Sequence, residues 1–155
     1  FFSVWGLTKR EEKTRLSPDA QAILKTLRKE WEMASSDLRA DAQIEDRKKL
    51  TKAIEELQQK MKVVPSEVLY VPKFTYIWTL AEGRFPKELS KKIYREDAVK
   101  ELARAFLKMQ GLTLRGELAK TLSISRKEAG LANHQLVDEG FADRLETGVY
   151  QLKSL

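Results

Sequence analysis

The chain has 155 residues, 42% hydrophobic and 34% charged, with seven glycines and four prolines, which is enough apolar material for one or two compact cores and too ordered a composition for a disordered chain. It has no cysteine, which excludes disulfides and thiolate metal sites, and no apolar run of the roughly 18–20 residues that span a bilayer; a cytoplasmic location fits. The net charge of +6 divides evenly, +3 over residues 1–90 and +3 over residues 91–155; it permits attraction to a polyanion without by itself requiring one.

Residues 1–16 form an apolar and basic leading segment. Phe1-Phe2-Ser3-Val4-Trp5-Gly6-Leu7 has no basic stretch before it and is not a signal peptide. It reads as a cut through a larger protein, with an apolar end that expects a partner inside the chain or on another protein. Ser17-Pro18 then pairs a helix cap with a proline at the first helical position. The helix runs to about Trp31 with Ala20, Ile23, Leu24 and Leu27 inward. Ser35 and Ser36 open a second helix with Leu38 inward, and Ile44 plugs the turn after it. Asp46 to Lys60 is a third helix, burying Leu50, Ala53, Ile54, Leu57 and Met61. Two strands, Val63–Tyr70 and Phe74–Thr79, flank Val71-Pro72-Lys73, with Pro65 at an edge or bulge. Residues 17–80 make one domain. Residues 81–94 connect it onward, with Pro86 starting a short helix.

Residues 95–155 repeat the plan. Glu96 to Met109 is a helix closed by Gly111, with acidic residues in its first turn. Thr113 to Ala119 opens a short helix with Leu118, Ala119 and Leu122 inward. Ser125 caps a third helix and Glu128 completes a capping box. That helix buries Ala129, Ala132, Leu136 and Val137 and stops at Gly140. Strands Phe141–Glu146 and Val149–Leu152 flank Thr147-Gly148. A shift of 80 residues sets Leu38 on Leu118, Ile44 on Ile124, Arg47 on Lys127 and Leu57 on Val137 without a gap. The expected fold is therefore α+β, mainly α: tandem winged-helix domains, each a helix-turn-helix with a β-hairpin wing.

Particular residues carry a resemblance. Leu57-Gln58-Gln59-Lys60-Met61-Lys62-Val63-Val64-Pro65, Tyr76-Ile77-Trp78 and Arg84-Phe85-Pro86 resemble winged-helix proteins related to the bacterial interstrand-crosslink repair DNA glycosylases. So does the pattern Ala105-Phe106-Leu107, Gly111-Leu112-Thr113, Leu118-Ala119, Ser125 to Ala129 and Leu136 to Gly140. The resemblance covers most of residues 15–155 and implies duplex DNA binding and DNA repair. In that family a short Gln-containing segment near the N-terminus of the full protein is catalytic. On that resemblance the chain is expected to begin after it, so a DNA glycosylase parent is compatible with a chain that carries no catalytic set. Gln43-Ile44-Glu45 looks like a Gln–apolar–acid tripeptide, but it falls in a turn with Ile44 inward.

A helix-turn-helix domain puts its third helix into the major groove, N-terminal end first. The candidate contacts of the first domain are Arg47, Lys48, Lys49 and Lys52, whose charges suit phosphates and guanine edges. Those of the second are Arg126, Lys127, Asn133 and Gln135, the residue types that read bases. Lys73 and Arg144 are candidates on the wings, and Arg39 and Arg115 near the second helices. The alternative for the first set is a solvated face partly neutralised by Glu45, Asp46, Glu55 and Glu56. His134 is the only histidine and without cysteines or paired carboxylates makes no metal site. No P-loop, dinucleotide turn or Ser–His–Asp set is present, and no cofactor is expected. Trp5, Trp31 and Trp78 read as core or inter-domain packing. The expected partner is double-stranded DNA. A tandem winged-helix adaptor, binding protein through the same faces, is the alternative.

Overall fold

A computed structural model describes residues 1–153; Ser154 and Leu155, the end of the segment expected at 95–155, lie outside the described residues. The chain is mainly helical with two small antiparallel sheets, an α+β protein. Its contacts divide it into two compact units, an N-terminal one of Phe2 and Val4–Lys92 and a C-terminal one of Phe1, Ser3 and the residues from Ile93 onward. Among the described residues no helix is long and apolar enough to cross a membrane.

The N-terminal unit opens with two single-turn helices, α1 (Phe2–Trp5) and α2 (Glu12–Arg15). The leading segment is not loose: Leu7 and Leu16 sit in the same buried cluster as Ile23, Leu24, Leu27, Leu38, Ile44, Leu50, Leu57 and Leu80. Helix α3 spans Pro18–Glu30, and its cap forms as the sequence predicts, the Ser17 hydroxyl accepting from the Ala20 amide. Strand β1 (Glu32–Ala34) follows, then α4 (Ser35–Asp41) and α5 (Arg47–Gln59). Strands β2 (Val63–Leu69) and β3 (Thr75–Leu80) form the hairpin, and the sheet order is β1-β3-β2. Pro65 lies on the edge strand β2 at a register shift, where a missing amide costs no ladder bond. Short helices α6 (Ala81–Arg84) and α7 (Pro86–Ser90) close the unit.

The C-terminal unit runs α8 (Arg95–Gln110), β4 (Leu112–Thr113), α9 (Glu117–Leu122), α10 (Arg126–Asp138), β5 (Ala142–Glu146) and β6 (Val149–Leu152). Its sheet order is β4-β6-β5. The order helix, strand, helix, helix, strand, strand thus occurs in both units, from α3 and again from α8. The third helices end alike with different residues. Gly140 takes a φ of 72° after α10, while Met61 takes 55° after α5, a conformation that costs a residue with a Cβ about 1 kcal/mol. In both, the next amide (Lys62, Phe141) bonds back to a carbonyl five residues earlier, at 2.8 and 2.9 Å.

Helix α10 has a complete capping box. The Ser125 hydroxyl accepts from the Glu128 amide at 3.2 Å, and the Glu128 carboxylate accepts from the Ser125 amide at 3.0 Å. Arg95 Nε donates to the same carboxylate at 2.6 Å. The bonds from Arg95 and then from Ser125 hold the Glu128 carboxyl down at about 2. A carboxyl lowered in the folded state stabilises fully above its ordinary value of 4.5 and loses that stabilisation as pH falls toward about 2. Ser125→Ala is expected to lower the stability of the C-terminal unit by about 1 kcal/mol, seen as faster hydrogen exchange of the first-turn amides of α10. Unchanged exchange would remove the box from the forces holding this helix.

Candidate nucleic-acid interface

Helix α5 buries Leu50, Ala53, Ile54 and Leu57 and leaves Arg47, Lys48, Lys49 and Lys52 exposed. Its cap is Asp46, whose carboxylate accepts from the Lys49 amide at 2.8 Å. The first turn carries no acidic residue and three cations, Arg47, Lys48 and Lys49. Positive charge at a helix N-terminus opposes the macrodipole by a few tenths of a kcal/mol per group, so this arrangement does not serve the helix. Lys49 forms an ion pair with Glu45, and that hydrogen bond raises its pKa. Arg47, Lys48 and Lys52 have no ion-pair partner among the described residues.

The turn before α5 is braced from inside. Arg39 Nη1 donates to the Glu45 carbonyl at 3.0 Å and is half-buried, so this guanidinium shapes the turn. Ile44 is buried and Gln43 is exposed with a φ of 55°, so Gln43-Ile44-Glu45 is a turn and not a set of converging polar groups. On the hairpin Lys73 is exposed at the tip. Trp78 is buried, its indole N–H donating to the Ser35 hydroxyl at 2.9 Å. Trp31 departs from the packing expected of it. The residue is 62% exposed, although one edge of its ring lies against Gly83.

In the C-terminal unit Arg126 and Lys127 are exposed in the first turn of α10. Asn133 corrects the sequence reading: it is 5% exposed and lies on the inward stripe with Ala129, Ala132 and Leu136. Its spacing, four after Ala129 and three before Leu136, puts it there. Gln135 is half-buried and its Nε2 donates to Glu96 Oε1 on α8 at 2.5 Å. Neither amide is presented outward. Arg144 folds back on its own turn, Nη2 donating to the Thr147 hydroxyl at 3.3 Å, and Arg115 donates to the Thr147 carbonyl at 3.1 Å. The exposed His134 contacts the buried Tyr150, with 3.3 Å between Nε2 and the phenol oxygen.

Two features escape a reading of the sequence. One is a buried ion cluster: Glu12 Oε1 accepts from Lys62 Nζ at 2.6 Å and from Arg28 Nη2 at 2.9 Å. Burial pushes the Glu12 carboxyl up, but these two bonds outweigh it and hold it below its ordinary value. Lys62 and Arg28 also line a cleft of about 380 Å³ with Leu7, Lys9, Leu24 and Leu80. The other is that the fold leaves the outer rings of the β2–β3 hairpin, Tyr70 and Phe74, exposed.

A family model described as AlkZ related matches residues 5–122, more than half of the chain. The chain belongs to the AlkZ-related family. It is thus related to AlkZ, a DNA crosslink repair glycosylase, and the match takes in α3, α4, α5 and the β2–β3 hairpin. No curated protein matches. Among solved structures, the mRNA-binding domain of elongation factor SelB from E. coli in complex with SECIS RNA is 16% identical, with a TM-score of 0.31. That alignment covers 90% of this chain and 100% of the other, and at such a score it bears on neither fold nor ligand.

Proposed function

We propose that this chain is a double-stranded DNA-binding module of a DNA-repair protein, built from two winged helices at 17–80 and 95–155 joined by residues 81–94. The order helix, strand, helix, helix, strand, strand in each unit supports the winged-helix reading, with α5 and α10 as the recognition helices and the hairpins as wings. The observation that carries the DNA reading is the cationic first turn and a half of α5, kept against the helix dipole. Arg47, Lys48 and Lys52, with Lys73 on the wing, make the principal contacts; Lys49 contributes less because Glu45 neutralises it. In the C-terminal unit Arg126 and Lys127 make phosphate contacts, and Arg144 with Arg115 places positive charge beside the second wing turn. Asn133 and Gln135 do not belong to the surface.

Phosphate-dominated binding releases counterions, so affinity falls with salt by a log–log slope of about −0.9 per contact. Contacts from Arg47, Lys48, Lys52 and Lys73 alone give a slope of about −3.6. Titration of a short duplex with the chain at several salt concentrations measures it. No binding even at low salt overturns the proposal and favours a protein-binding adaptor.

A further inference from the structure

The β2–β3 hairpin presents a continuous ladder of rings. Trp78, Tyr76 and Phe74 alternate along one face of β3 and the residue before it, with centroids 5.4 and 5.3 Å apart; Tyr70 faces Phe74 across the hairpin at 5.8 Å. The pairing Val68↔Tyr76 and Leu69↔Thr75 fixes this register. The inner end is anchored, because Trp78 is buried. The outer end is bare: Tyr70 is 74%, Val71 83% and Phe74 52% exposed. Edge-to-face contacts and the anchored base hold the outer rings in place before anything binds, which lowers the entropic cost of binding.

Charge selects the occupant. Residues 68–81 carry Lys73 and no carboxylate, and the same unit exposes Arg47, Lys48 and Lys52. Rings beside Lys73, which makes no ion pair among the described residues, suit a ligand with flat apolar faces on an anionic backbone. Bases in an intact duplex are stacked on one another and offer no face to a side chain. Unstacked bases do, and apolar side chains inserted at a step hold it open.

We propose that the wing of residues 69–76 is a base-stacking wedge that engages unstacked nucleobases, so that the chain prefers a duplex with a broken stack to an intact one. This rests on the DNA-binding reading above and adds to it the kind of DNA recognised.

The test compares the full chain on two duplexes of one sequence, one intact and one with a central two-nucleotide bulge carrying 2-aminopurine. The chain is expected to bind the bulged duplex about tenfold more tightly and to change the 2-aminopurine emission, as stacking on a base or two requires. In Tyr70→Ser/Phe74→Ser, whose changes are at exposed positions, the preference is expected to fall to about one while intact-duplex affinity, carried by cations, changes less than about twofold. Equal affinity of the parent chain for both duplexes, or a preference the variant keeps, overturns the wedge but leaves salt-dependent duplex binding standing. Binding to neither duplex at low salt overturns both. A dimer seen by sedimentation that the same double substitution dissolves assigns the ladder to a second copy of the chain and likewise overturns it.

Discussion

Lys48→Glu/Lys52→Glu is expected to bind a short duplex about 100-fold more weakly than the parent chain at low salt, with the fold unchanged. Each hydrogen bond to a charged group contributes about 1.5 kcal/mol, so two lost contacts account for two decades. The two positions lie one turn apart on the exposed face of α5, opposite Leu50, Ala53, Ile54 and Leu57, so no core packing is disturbed. The salt slope is expected to fall by about 1.8, the share of two phosphates. A matched control is Lys25→Glu/Lys29→Glu, the same change in net charge on exposed positions of α3. Loss of affinity confined to the α5 variant places the contact there. Equal loss in both would mean that affinity follows total charge alone, and α5 would no longer be a recognition helix.

The helices were readable because their signals are local. Ser17-Pro18, Asp46 and Ser125 with Glu128 satisfy amides of their own first turns, and the apolar stripes follow from spacing alone. Strands β1 and β4 were not, because three and two residues are too few to show alternation and each exists only by pairing with β3 or β6. Asn133 shows a signal overridden by residue type: its spacing places it inward, while its chemistry suggested a base contact. Gln135 could not be placed from spacing, since its partner Glu96 is on another helix. The ring alternation at 74, 76 and 78 stands in the sequence, but whether another element covers that face is a tertiary fact. The resemblance drawn from Leu57–Pro65, Tyr76–Trp78 and Arg84–Pro86 falls within the span the AlkZ-related family matches.

Least visible of all was Glu12, an acidic residue in an ordinary charged stretch that is 7% exposed in the fold and bonded to a lysine 50 positions away. Glu12→Met leaves Lys62 with its ammonium buried and without that carboxylate, and removing one partner of a buried pair costs about 3 kcal/mol. Arg28 is more exposed and can turn to water, so most of the cost falls on Lys62. Trp5, Trp31 and Trp78 all belong to the N-terminal unit, so tryptophan fluorescence during urea unfolding reports on that unit. With a slope of about 1.5 kcal/mol per molar urea, the midpoint is expected to drop by about 2 M. Glu12→Met/Lys62→Met removes both charges and is expected to recover to within about 1 kcal/mol of the parent chain, since apolar replacement of a whole buried pair is near neutral. The dependence on pH has a definite sign. The Glu12 carboxyl titrates below its ordinary value of 4.5 in the folded state, so its contribution is full above that value and is lost as pH falls through the lower folded one. The parent midpoint should therefore fall in acid more steeply than that of the double variant. A midpoint unchanged in Glu12→Met, or a double variant no better than the single, would show that Lys62 finds solvent without Glu12 and that the leading segment is held by its other contacts, Leu7 and Leu16 in the core among them.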